Sequence, residues 1–180
     1  MSVRVATIGI LAATAVAALP RPSAPTFALQ STGAITLSAT GHEARFGVVH
    51  EAVRGRPLLS LSLGATAADG ALHLTMAGDR PPAPGRYPIR SSWDELGTDS
   101  TSFHASFMPG TVERPLGWYH GESGWVTITH AGPDRMSGTF EVRARGYAAA
   151  DPLDEEQWVT VRGGFDAEGD STVTTITAVR

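Results

Sequence analysis

The chain has 180 residues, a formal charge of −4 and a pI near 5.8, the size of one domain with a core of its own. All 14 basic residues are arginine and they are scattered, so the clustered basic face that nucleic-acid phosphates require is missing. There is no cysteine, which excludes disulfides, thiolate nucleophiles, cysteine-based zinc sites and a lipidated N-terminal cysteine.

The chain opens as an address. One positive charge in Met1–Arg4 precedes the small, apolar run Val5–Leu19, and Ala15-Val16-Ala17 or Val16-Ala17-Ala18 offers a small-x-small cleavage site. Residues 1–18 therefore read as a secretory signal peptide. The run is shorter than the roughly 20 residues a membrane span needs, and an uncleaved anchor is the alternative. The mature chain is expected in the periplasm or outside the cell, with no transmembrane span. Residues 19–32, including PRPSAP, read as a proline-rich linker, and 33–180 as a single β domain.

From there apolar and polar residues alternate with a period of two, the mark of strands with one buried face. Ile35, Leu37 and Ala39 lead, followed by Ala44, Phe46 and Val48, then Leu59, Leu61 and Leu63, then Leu72, Leu74 and Met76. DRPPAPG (Asp79–Gly85) interrupts, because proline cannot sit in a central ladder. Tyr87 and Ile89, then Phe103, Ala105 and Phe107, mark two short strands. GWYHGESGWVTITH (Gly117–His130) reads as strand, Gly-Glu-Ser-Gly turn, strand, with Val126, Ile128 and His130 on one side. Phe140, Val142 and Ala144 follow, then Val159 and Val161, and Ile176 and Ala178 close the series. No window carries a helical stripe. The expected fold is an all-β antiparallel sandwich of about nine or ten strands, with a lipocalin-like up-and-down barrel as the alternative.

Three stretches, PPAPGRYPI, GWVTITHAGPDRMSGTFEVRARG and WVTVRGGFDAEG, carry a resemblance. Together they resemble a loose group of bacterial secreted or lipid-anchored β-sandwich proteins. Members share a P-x-G-x-Y turn, an S-G-x-F strand and a final V-x-V-x-G-G-x-F. The resemblance spans about Gly33 to Arg180 and implies fold and export. It brings no catalytic residue, and the anchoring cysteine of many members has no counterpart here.

Catalytic motifs fail one by one. Gly121-Glu122-Ser123-Gly124 lacks the second glycine of a nucleophile elbow, since Trp125 stands there and no helix follows. His42-Glu43 and His50-Glu51 lack the second histidine of a zinc-peptidase helix. His73 and His104 fall on the polar phase of their strands and read as surface residues. Asp151, Asp154, Glu155 and Glu156, and separately Asp166, Glu168 and Asp170, read as loop or turn chemistry rather than calcium loops. No catalytic residue, metal or cofactor is assigned.

One face stands out. If Val126, Val142, Val159 and Val161 face the core, the opposite side carries Trp125, Thr127, Thr129, Glu141, Arg143, Arg145, Trp158, Thr160 and Arg162. A hairpin turning about Asp134 sets Trp125 opposite Arg143. Trp125, Arg143, Arg145, Trp158 and Arg162 are the candidate ligand-binding residues, and the partners considered are a glycan, an envelope protein or a small anionic ligand. The leading expectation is a non-catalytic binding or structural module of the bacterial envelope or exterior. The alternatives are a lipocalin-like carrier of a small apolar ligand, or a hydrolase using loop carboxylates (Glu95, Asp99, Glu122, Asp154). Trp93, in Ser91–Ser100, is a further aromatic outside the core pattern.

Overall fold

The computed structural model describes residues 24–51, 56–64, 71–91, 99–111, 114–149, 156–170 and 174–176. The expected signal peptide, the first part of the linker, Trp93, Glu95 and Asp151–Glu155 lie outside these residues.

The fold is all β. Strands β1 (Thr26–Gly33), β2 (Leu37–Gly41), β3 (Ala44–Glu51), β4 (Pro57–Leu63), β5 (Ala71–Ala77), β6 (Gly85–Pro88), β7 (His104–Met108), β8 (Gly117–Ala131), β9 (Arg135–Ala148), β10 (Gln157–Gly169) and β11 (Thr174–Ile176) form one sheet. The neighbours run β11-β3-β4-β5-β7-β8-β9-β10-β1-β2, and β6 lies on β8. Pairing is antiparallel except along β3, whose outer edge takes Glu168 and Gly169 of β10 and then β11 in parallel. That contact makes β3-β4-β5-β7-β8-β9-β10 a closed circuit, one sheet joined to itself.

Alternation fills the interior. Leu59, Leu61 and Leu63 of β4, Leu72 and Leu74 of β5, Phe107 of β7, Tyr119 of β8, Val142 and Ala144 of β9 and Val161 of β10 are fully buried in one apolar cluster. Burying each large side chain contributes about 1.5–3 kcal/mol against the chain entropy that folding costs.

Four sequence expectations need correction. The linker ends by Pro25, because Thr26–Gly33 is β1, paired on both edges with Phe27, Leu29 and Ser31 inward. Only two of those three inward residues are apolar, which hid the strand. The Asp166–Gly169 stretch is no turn but the end of β10, still paired to Arg135–Ser137. His104 is buried, at 2% exposure, although it lies on the polar phase: Phe103, His104 and Ala105 are all inside. His73 stays on the outer phase but is half-buried, with its Nδ1 3.0 Å from Ser62 Oγ; that burial holds its pKa below the ordinary histidine value.

The fourth correction concerns β8. Gly117–Ala131 is a single 15-residue strand, not two strands around a Gly-Glu-Ser-Gly turn. Two bulges break its parity. Gly121 faces Ala144 and Ser123 faces Arg143, which leaves Glu122 over; Ile128 faces Gly138 and His130 faces Ser137, which leaves Thr129 over. Buried positions are thus odd up to Gly121 and even at Val126 and Ile128, and the second shift turns His130 out to solvent instead of onto the core side.

The join of β9 to β10 near the closure carries a fork-on-fork ion pair. Arg135 donates from Nε and Nη2 to the two oxygens of Asp166, each at 2.6 Å. Those hydrogen bonds hold the Asp166 pKa below the ordinary aspartate value. A depressed folded-state pKa contributes stability above the unfolded value, and that contribution is lost as pH falls through the folded one. Thermal melts of wild type and Asp166→Asn should therefore differ at neutral pH and converge in acid below the carboxylate range. A gap independent of pH would refute the ion-pair account.

Candidate functional site

The candidate face is built by β8, β9 and β10, and its parity is as the alternation requires. Val126 and Val142 are fully buried, whereas Trp125 is 43% and Trp158 42% exposed, and Arg143, Arg145 and Arg162 are exposed. Trp158 faces Arg145, Thr160 faces Arg143 and Arg162 faces Glu141.

The pairing of β8 with β9 differs from expectation. Trp125 faces Glu141, and Arg143 faces Ser123. The hairpin turns over Gly132–Arg135, where Gly132 N–H donates to Arg135 C=O at 2.8 Å, and the bulge at Thr129 shifts the register further. The tryptophan–arginine contacts form between other partners. Arg143 stacks on Trp158 with its guanidinium carbon 4.2 Å from the ring centroid, and Arg145 lies at 5.8 Å from the same ring. Arg86 of β6 stacks on Trp125 at 4.1 Å. Such contacts contribute about 0.5–1 kcal/mol each at exposed sites.

The acids on this face are already engaged. Arg145 bridges Glu122 at 3.3 Å and Glu156 at 3.0 Å, and Arg162 meets Glu141 at 3.1 Å. The Arg162 guanidinium holds the Glu141 carboxyl below its ordinary value. Arg143, in contrast, makes no ion pair among the described residues.

The first bulge shapes a cleft. At Glu122 the edge of β8 changes neighbour, from β7 at Tyr119 and His120 to β6 at Trp125–Ile128. Between the two neighbours the chain leaving β6 is held by Ile89 N–H donating to Gly124 C=O at 2.9 Å, and by the Ile89–Phe103 bridge. An open cleft of about 620 Å³ lies there, lined by Pro88–Ser91, Glu122–Trp125, Glu141 and Arg143. Gly124 makes the bend possible: its φ is +137°, and a Cβ there would stand 2.0 Å from the Glu141 carbonyl oxygen.

Trp125 is the wall of this cleft. Arg86 lines a smaller cleft of about 270 Å³ with Trp125, Thr127 and Thr139, so Trp125 borders both. Arg90 and Arg143 line the larger one, where Glu122 and Glu141 are tied to Arg145 and Arg162. The arrangement can hold an anion between two guanidinium groups and lay an apolar ring face on the indole.

The structure brings Trp158, Arg143 and Arg145 together and sets Trp125 with Arg143 around the cleft, while Arg162 is paired off to the side. Arg86 and Arg90 escape a sequence reading, because only the pairing of β6 with β8 brings them here. Of the carboxylates considered for catalysis, Glu122 is held by Arg145. Asp99 accepts from Thr101 N–H at 2.7 Å and from the Thr101 and Ser102 hydroxyls at 2.6 Å; these bonds hold its pKa below the ordinary aspartate value. No group of three or more His, Asp or Glu able to hold a metal occurs among the described residues, and no helix there is long and apolar enough to cross a membrane. No family model matches the chain, and neither a curated protein nor a solved structure matches it.

Proposed function

We propose that this chain is an exported, non-catalytic binding module that takes an anionic ligand in the cleft between Pro88–Ser91 and Glu122–Trp125. One observation carries the reading: among the described residues Arg143 reaches the cleft without a carboxylate partner, beside Arg90 and the Trp125 wall, while both glutamates of the cleft are held by other arginines. An incoming carboxylate therefore meets unneutralised guanidinium rather than an occupied ion pair. Export rests on the apolar, small-residue N-terminal run.

The other readings have less to support them. Of the candidate carboxylates, Asp99 and Glu122 are the described ones, and they serve local hydrogen bonds and an ion pair, so neither is a poised acid. An apolar carrier needs interior space, and the interior holds Phe103, Phe107, Tyr119 and Phe140 packed together.

Calorimetric titration with galacturonate, and in parallel with uncharged galactose, tests the proposal. Binding of the acid sugar is expected at about millimolar Kd, weakening as salt is added. Arg143→Ala and Trp125→Ala should each weaken it by about tenfold, a loss of roughly 1.4 kcal/mol. Equal binding of galactose, or unchanged affinity in both variants, would end the proposal.

A further inference from the structure

The outer face does not stop at the cleft. Residues on β8, β9 and β10 stand in rows across the strands: Trp118 with Tyr147; His120 with Arg145 and Trp158; Ser123 with Arg143 and Thr160; Trp125 with Glu141 and Arg162. Successive rows lie about 7 Å apart along the strands, so the face runs on the order of 20 Å from the Trp118 row to the Trp125 row. An exposed aromatic stands in the first row, the second and the last. Trp118 is 57% and Tyr147 46% exposed, beside Leu116 at 51%.

These rings are held in place from the sides. Trp118 Nε1 donates to Ser106 Oγ at 3.2 Å and its ring lies 5.4 Å from that of His120; Tyr147 OH reaches Glu156 at 3.4 Å. A rigid strand scaffold carries all of them. The chain bears a net charge of −4, yet among the described residues this face with its cleft carries Arg86, Arg90, Arg143, Arg145 and Arg162 against Glu122, Glu141 and Glu156, with Asp99 acting on Arg90. Exposed aromatic area of this extent marks an interaction surface, and the charge of its described residues runs opposite to that of the whole chain.

We infer that the ligand of this site is an acidic polysaccharide, laid lengthwise along β8–β10 from the cleft to the Trp118–Tyr147 row. A pyranose ring has an apolar C–H face that lies flat on indole or phenol, and a uronate carboxylate accepts two parallel N–H bonds from guanidinium. The face alternates those two features along one direction. Single-stranded nucleic acid also stacks on aromatics, but its phosphates need a groove of uniform positive charge, and here glutamates are interleaved with the arginines.

The inference rests on the anion-binding reading above, and oligogalacturonates of increasing length separate the two. The monomer engages the cleft alone. If the whole face is used, longer oligomers bind more tightly, by about tenfold once they reach the Trp118 row, because the second contact is intramolecular. Trp118→Ala and Tyr147→Ala should abolish that gain and leave monomer affinity unchanged; Arg143→Ala should weaken every length. Affinity that stays flat with length overturns the polysaccharide and leaves the cleft as an anion site. Equal binding of neutral dextran, or stronger binding of anionic lipid vesicles or single-stranded RNA than of polygalacturonate, also overturns it. Dextran sulfate in parallel tells sulfate from carboxylate as the preferred anion: equal or weaker binding than polygalacturonate keeps the uronate assignment, and markedly tighter binding removes it.

Discussion

Gly124→Ala is expected to lower stability by about 3 kcal/mol or more, roughly 6–12 °C in the thermal midpoint of a domain this size. Two independent penalties act at that position. The backbone φ of +137° is one that L side chains rarely adopt, and the new Cβ would stand 2.0 Å from the Glu141 carbonyl oxygen, 3.0 Å from its carbon and 3.1 Å from the Val142 Cα. These are backbone atoms of the paired strand, so no rotamer change relieves them. The hairpin must part there, and the bulge that opens the cleft is lost with it, so galacturonate binding should fall in the same variant. Gly164→Ala is the control. Its Cβ would meet Gly138 O at 3.4 Å and Thr139 Cγ2 at 3.8 Å, ordinary contact, and restricting the unfolded chain should make that variant neutral or slightly more stable. Circular-dichroism melts of the two proteins decide the matter: midpoints within about two degrees of each other would show that the bend at Gly124 is not strained.

Tyr119 provides the second large effect, and its two truncations should part widely: one costs stability and the other costs none. The ring is fully buried, lies against Gly117 (where a Cβ would stand 2.6 Å from Cε2) and packs on Phe107 with centroids 6.3 Å apart. Tyr119→Ala leaves a ring-sized cavity in the cluster and should cost about 3–5 kcal/mol. The hydroxyl, however, makes no hydrogen bond among the described residues, and burial pushes the phenol pKa up. A buried hydroxyl without a partner costs about 1–3 kcal/mol, so Tyr119→Phe should match or exceed the wild type in denaturant midpoint. A marked loss of stability in Tyr119→Phe would mean that the hydroxyl contributes rather than opposes.

Both positions lie in the stretch where local pattern and tertiary structure part company. Between Gly117 and His130 the apolar residues change phase twice. On sequence grounds the first change reads as a turn at Gly121–Gly124, since glycine-flanked polar pairs are turn chemistry. Long pairing with β9 on one side and the change of neighbour from β7 to β6 on the other make it a bulge inside one strand. A local pattern records which face a side chain takes and not which strand lies beside it. For the same reason the alternation placed Trp125, Arg143, Trp158 and Arg162 outside and their valine neighbours inside, yet it set Trp125 against Arg143 instead of Arg86.

What the sequence determined by itself is the all-β class, the inward and outward phases of most strands, and the outward set of tryptophans and arginines. Each follows from a period of two read over a few residues, and burial of the apolar phase enforces it. Only the tertiary structure decided the closure of the sheet through β3 and β10, the burial of His104, the strand character of Thr26–Gly33 and the cleft itself. Those depend on contacts between residues far apart in the chain, such as Glu168 with Arg45 and Ile89 with Gly124, where backbone hydrogen bonds satisfy strand edges without leaving any periodic trace in the side chains.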